Sequence, residues 1–330
     1  MKTELPIIHT LRGFSAVGIC LYHYVCCTTG YVGPGIVFDT FALLALNVQI
    51  FFVISAMVIP ISMINAQYRI QDFFTFVYKR ALRIEPPYLI SLLIATAYLN
   101  LRNFIPGSAE VNLAPSWSEL LMHIGYLVPF FEDARWINPV YWSLSVEFQY
   151  YILLGLLFPM AMHSKLWLRT AFYVLLLIGP FLTFQSSFFT SWSPLFLLGI
   201  LYILYYLKKI KPLEFWIFLG FAAAITYWKV GPNDLLVGLL ALAAIHFFRD
   251  FDFKIGRYFG DRSFSIYLLH SITGAPIINF LSHRYQENWQ KPLVIILGFL
   301  VCLICAHYFH RWVEMPSLRL SKKIKYTRGS

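Results

Sequence analysis

The chain has 330 residues, of which 59% are hydrophobic, 18% aromatic and only 13% charged, and its mean hydropathy is +0.65. Soluble domains carry about 25% charged residues, so this composition excludes an ordinary soluble fold. It reads as an all-α integral membrane protein, a bundle with room for about ten spans of ~20 residues. The formal net charge of +10 does not call for nucleic acid, because cytoplasmic loops of membrane proteins collect such an excess.

The first predicted span, 8–27, contains Leu11-Arg12-Gly13 and, eleven residues after the arginine, His23. An arginine at mid-helix costs roughly 2.5–3.5 kcal/mol on insertion scales, so such residues are rarely idle. At about 100° per residue the two side chains share a face, roughly 16 Å apart along the axis. The second span, 41–64, carries Phe51-Phe52-Val53-Ile54-Ser55-Ala56, whose small residues suit close helix packing. A basic loop holding Lys79, Arg80 and Arg83 follows, and the third span, 85–102, is expected to open at Pro86 and Pro87. Arg80 and Arg83, three apart, share a helical side. They read either as positive-inside anchors or as a phosphate clamp, since the guanidinium fork matches phosphate oxygens.

In the long connection 103–140, the apolar stretch 120–131 is too short to span and predicts an interfacial or re-entrant helix. The fourth span, 141–162, opens Tyr141-Trp142-Ser143-Leu144-Ser145-Val146-Glu147, placing a carboxylate inside an apolar segment. Further spans are predicted at 166–184, 191–207, 213–229, 233–249, 263–281 and 292–312. The ninth carries Ser263, Ser265, Tyr267 and His270, the last either lining a pore or satisfying a neighbouring helix. Glu314 and Pro316 close the tenth; Glu314 or Glu85 can counter an inner arginine. Residues 1–316 read as one transmembrane domain and 317–330 as a basic cytoplasmic tail suited to anionic headgroups. The first apolar run has no small-residue cleavage site at its end, so no cleaved leader is expected.

Of the 26 Lys and Arg, Arg102, Arg135, Lys229, Arg284 and Lys291 fall on one side, twenty fall on the other, and Arg12 lies within the first span. By the positive-inside rule both termini are cytoplasmic. Arg12 is then near the cytoplasmic face, while His23 and Glu147 share a depth in the outer half. A histidine oriented by a carboxylate is a sensible general base; a structural ion pair between helices is the alternative. The five cysteines lie in or beside apolar segments, and Cys302 and Cys305, though spaced C-x-x-C, read as small hydrophobes. The histidines are scattered over several spans and suggest no metal set.

Together these stretches resemble the acyltransferase-3 family, multi-pass membrane enzymes that acylate glycans and some secondary metabolites. The resemblance covers nearly the whole chain. It rests on Leu11-Arg12-Gly13 with His23, Phe51-Phe52-Val53-Ile54-Ser55, and Arg80-x-x-Arg83-Ile84 with Pro86 and Tyr88. It also rests on the Trp142–Glu147 block with Tyr150 and Tyr151, the Ser263–His270 block, and Glu314-x-Pro316. Three features depart from the family pattern. Ala56 stands where glycine is usual, and Phe264 where tyrosine is common. No appended extracytoplasmic hydrolase-like domain is seen, so the chain is expected to act alone or to hand its acyl group to another protein.

The resemblance implies a cytoplasmic acyl-CoA donor, most often acetyl-CoA, used as a substrate, with no bound cofactor and no metal. The implied acceptor is a hydroxyl of a cell-surface or lipid-linked glycan. It implies His23 and Glu147 as catalytic residues, with His23 acting as general base or as transient acyl carrier. Arg12, Arg80 and Arg83 would hold the donor phosphates, and Ser55, Trp142, Ser143, Tyr267 and His270 are further substrate-binding candidates. The expected setting is the inner (plasma) membrane, among membrane lipids and without nucleic acid; a homo-oligomer is left open. The competing reading is a transporter or flippase using Arg12, His23 and Glu147 as a substrate or proton site.

Overall fold

A computed structural model describes residues 5–28, 30–102, 114–183 and 185–326. Lys2, Arg328 and the 103–113 part of the long connection lie outside the described residues. Among the described residues the regular structure is entirely helical. Helix α1 (Ile7–Tyr22) runs without a break into a π-helical turn, His23–Cys27. Helix α2 (Ile36–Ala42) feeds α3 (Asn47–Asn65), and α4 (Phe73–Arg102) follows. A short α5 (Trp117–Ile124) precedes α6 (Tyr141–Ala161), α7 (Leu166–Ile178), α8 (Phe189–Tyr206), α9 (Pro212–Ile225) and α10 (Pro232–Phe247). Then come α11 (Lys254–Asp261), α12 (Ser263–Ser282), α13 (Gln290–Phe309), a second π turn that matters here, His310–Glu314, and α14 (Met315–Lys323).

Seven helical stretches among the described residues are long and apolar enough to cross a membrane, and two shorter apolar helices, Leu166–Phe181 and Pro232–Phe247, accompany them. Helix α8 is the most enclosed, with Leu195, Leu197, Leu198, Ile200 and Leu201 all fully buried. In lipid the apolar surface alone does not hold helices together, so close packing must. Gly199 on α8 shows how: a Cβ there would sit 2.6 Å from Val53 O and 2.7 Å from the Ala56 methyl of α3. The close approach that a glycine at position 56 would provide is therefore supplied from the other side, by Gly199. Gly13 does the same for α1, where a Cβ would meet Gly256 O of α11 at 2.6 Å. That backbone contact fixes the helix on which Arg12 and His23 ride.

The third predicted span differs in an instructive way. Pro86 and Pro87 do not start a helix; they lie inside α4, which begins at Phe73. A proline removes one backbone bond, but in a packed membrane helix neighbouring groups satisfy the freed carbonyl. As a result Lys79, Arg80 and Arg83 are helical positions, not loop residues. The start of the basic tail is also ordered: α14 lies along α4, with Ser321 Oγ donating to Lys79 O at 2.9 Å and Lys79 Nζ donating to Ile324 O at 2.9 Å.

The long connection folds back through α5. Ser116 caps it, accepting from Glu119 N at 3.2 Å while the Glu119 carboxylate accepts from Ser116 N at 2.7 Å, a capping box that satisfies two otherwise orphan donors. Trp117, Leu121 and Ile124 project together from the exposed side, as an interfacial helix requires. His123 points the other way and is buried, its Nε2 accepting from Ile137 N at 3.1 Å. Burial lowers the His123 pKa, consistent with that neutral acceptor role. The carboxyl of Glu119 is likewise displaced: burial pushes it up, but the Ser116 N–H and Oγ and the Arg135 guanidinium outweigh burial and hold it low.

Candidate active site

A cavity of about 110 Å³ opens among α1, α3, α4, α6, α12 and the α13–α14 junction. That is space for several waters, given the roughly 10–15 Å³ each needs on this measure. Of the predicted site residues, Arg12, Ser55, Arg83, Ser143, Glu147 and Tyr267 line it. Glu314 and Tyr151 join them. Apolar walls come from Phe51, Phe52, Ile54, Val58, Ile84 and Leu144 among others. Pockets built this way, apolar with a few convergent polar groups, are the usual form of a ligand site.

Four charged side chains line the cavity: Arg12, Arg83, Glu147 and Glu314. Arg12 stands in the field of Glu314 and Glu147, and of the like charge Arg83. Glu147 Oε1 accepts from Ser55 Oγ at 3.0 Å and from the Tyr151 hydroxyl. Glu314 Oε2 accepts from Ser265 Oγ at 2.6 Å and faces His310 Nδ1 at 2.9 Å. The π turn His310–Glu314 is what delivers this carboxylate: the wider turn inserts a residue and rotates the chain that follows.

Arg80 does not join Arg83 in the cavity, contrary to the expected clamp. It is buried, donates through Nη2 to Ser62 Oγ at 3.0 Å, and its guanidinium carbon lies 5.4 Å from the Phe76 ring and 5.8 Å from the Tyr151 ring. Three residues apart on a helix is close but not identical in direction, and here the difference puts one arginine in the packing and the other in the cavity. Trp142 is also outside the lining. It packs in an aromatic cluster with Phe52 at 6.1 Å and Trp192 at 5.8 Å between ring centroids.

The histidine expected beside Glu147 has a different partner. Among the described residues His23 and Glu147 make no hydrogen bond or ion pair. His23 Nδ1 lies 3.1 Å from His270 Nε2 and 3.0 Å from Ile19 O. The two rings sit 4.9 Å apart. His270 is fully buried, and its Nδ1 faces Ile266 O at 3.2 Å. One tautomer chain fits these contacts. His270 keeps its proton on Nδ1 for Ile266 O, its Nε2 accepts the His23 Nδ1–H, and His23 Nε2 is left with a free lone pair. The π turn that begins at His23 accompanies this placement, and its far end is tied by Thr28 Oγ1, which donates to His23 O at 2.9 Å.

Sequence reasoning did not find two further parts of the surroundings. Asn138, buried in the connection before α6, donates to Leu268 O at 3.1 Å and accepts from Ser271 Oγ at 2.7 Å, bracing α12 beside His270. Tyr24 donates to His270 O at 2.9 Å. A polar Asn next to Pro139 in an otherwise irregular stretch was the only available signal, and it points equally to an ordinary turn.

An acyltransferase domain family matches residues 5–311. The chain is also similar to O-acetyltransferase OatA of Staphylococcus aureus, in strains NCTC 8325, COL and MRSA252, at 25% identity over 363 residues, covering 94% of this chain and 57% of the relative. The chain thus spans a little over half the length of those relatives. No solved structure matches it. With the family match running through nearly every helix that builds the cavity, and seven stretches able to cross a bilayer, the chain is a multi-pass membrane protein that belongs to the acyltransferase-3 family.

Proposed function

We propose that this chain is a membrane O-acetyltransferase that moves an acetyl group from cytoplasmic acyl-CoA to a hydroxyl of a cell-surface or lipid-linked glycan in the plasma membrane. The relatives' name, O-acetyltransferase, supports the reaction class. The observation that carries the site is one helix, Ile7–Cys27, holding Arg12 in the cavity lining and His23 against a buried histidine. In this reading the chain crosses the membrane ten times, the first helix and the two shorter apolar helices adding to the seven, with both termini cytoplasmic. Residues 1–316 form the catalytic domain and the basic segment after it the cytoplasmic tail. Arg12 and Arg83 hold the anionic end of the donor, a task suited to guanidinium forks. Arg80 braces Tyr151 and so the Glu147 carboxylate.

His23 Nε2 takes the proton of the acceptor hydroxyl as that oxygen attacks the thioester carbonyl, or carries the acyl group itself. In the first route the C–O bond forms, the C–S bond breaks, and the proton passes to the leaving thiolate. His270 replaces Glu147 as the group that orients the ring and shares the positive charge. Glu147 belongs to the cavity's charged lining, balancing Arg12. The experiment is acetyl transfer from labelled acetyl-CoA by the purified chain. His23→Ala should lower CoA release by roughly 10²–10⁴-fold, the range of general acid–base catalysis. His270→Ala should act mainly on kcat. Undiminished turnover in His23→Ala would refute this mechanism, whereas glycan movement without CoA release would favour a flippase.

A further inference from the structure

The cavity holding Arg12 and Arg83 reaches Tyr267, whose ring neighbours His270, the partner of His23. Phe51 and Tyr267 line it, their ring centroids 5.9 Å apart, whereas His23 and His270 are not among its lining residues. The Tyr267 ring also faces His270, 6.1 Å away, and His270 carries His23. Tyr267 is latched as well as packed. Its hydroxyl lies 2.6 Å from Ser143 Oγ and 3.2 Å from Val140 O, and Ser143 Oγ lies 3.1 Å from the same carbonyl. Two hydroxyl hydrogens thus serve three contacts in one closed cluster, and all of it is buried.

We propose that Phe51 and Tyr267 form a partition that the donor's acyl end must displace, and that this partition decides whether the acyl group reaches the acceptor or is lost to water. The inference rests on the acyl-CoA reading above. The cavity has room for water beside its four charged side chains. An activated acyl group in open contact with that water is hydrolysed: a water oxygen bonds to the acyl carbon, the C–S bond breaks, and acetate and the CoA thiol leave. A latched aromatic layer keeps that water from the region of His23, the water exclusion that active sites commonly need. Moving Tyr267 aside breaks its bond to Ser143, so the latch sets how often the layer opens without a donor seated.

The test uses the purified full chain in lipid nanodiscs with acetyl-CoA and no acceptor, following CoA and acetate by chromatography. Tyr267→Phe should raise acceptor-free hydrolysis by roughly fivefold, about the weight of one net hydrogen bond, and Phe51→Ala, which removes the ring packed against Tyr267, should raise it in the same direction. Ser143→Ala should act in the same direction, and the Tyr267→Phe/Ser143→Ala double variant should do no more than the larger single change, because both remove one latch. Adding His23→Ala to Tyr267→Phe should abolish the extra hydrolysis. Unchanged or reduced hydrolysis in both Tyr267→Phe and Phe51→Ala, with parental melting temperatures, overturns the partition and leaves the enzyme reading intact. If neither the parent nor any variant binds or cleaves acetyl-CoA, the acyl-CoA reading falls and the partition with it.

Discussion

Arg80 and Arg83 show how far apart two neighbouring arginines can be in role. Arg83 opens onto the cavity, while Arg80 is buried on Ser62, Phe76 and Tyr151. Losing a charge-assisted contact to an anionic ligand is worth about 1.5–3 kcal/mol, so Arg83→Ala should raise the Michaelis constant for the donor roughly 10–100-fold. Arg80→Ala removes a buried hydrogen bond and two ring contacts, about 1–3 kcal/mol of stability. It should lower the melting temperature and leave the donor's Michaelis constant near the parent value. Steady-state kinetics beside thermal melts separate the two; equal effects of both substitutions on that constant would return Arg80 to the cavity. His23 and Arg12 were legible in sequence because an ionisable group inside an apolar run is expensive in lipid. Their partners were not. His270 lies 247 positions from His23, and no local spacing rule connects them. Depth along the membrane put Glu147 level with His23, but depth is one coordinate. The helix faces decide the other two, and they turn Glu147 toward Ser55 and Tyr151.

At the scale of elements, two π turns sit where the charged chemistry is: one begins at His23 and the other ends at Glu314. Each re-aims a side chain by the extra residue it inserts, an effect that 3.6-residue periodicity read from sequence does not register. Helix α5 is the converse, a short element closed at its start by the capping box of Ser116 with Glu119 three residues on. Its stability carries a pH dependence of known sign. The Glu119 carboxyl is held low by Ser116 and by Arg135, 2.8 Å away. The contribution is complete above the unfolded value of about 4.3 and is lost as pH falls through the lower folded one. Protection factors in α5, each amide exchange rate compared with its intrinsic rate at the same pH, should therefore fall in acid below that value and stay level between pH 5 and 8. The same profile in Glu119→Gln would show that another group is responsible.

For the whole molecule, the charge sorting makes a definite statement about sides. If the chain crosses ten times with both ends cytoplasmic, single cysteines placed at Lys209 and Lys323 in a cysteine-free background should be shielded from an impermeant maleimide in intact cells, and one at Arg284 should be labelled. Labelling of Lys209 and Arg284 on the same side would break the ten-span arrangement. Summed hydropathy was enough for the membrane class, and short runs in their order along the chain were enough for the family, while helix boundaries were legible only in part, since α4 begins at Phe73 and not at Pro86. The sequence also marked Arg12, His23 and Glu147 as costly residues. Which of them meet depends on how the helices pack. A helix fixes spacing along its axis, but its rotation and its neighbours come from packing, from contacts such as Gly13 on α11 and Gly199 on α3. Those contacts set His23 on His270, sent Arg80 into the core, and left Tyr267 between the cavity and His270.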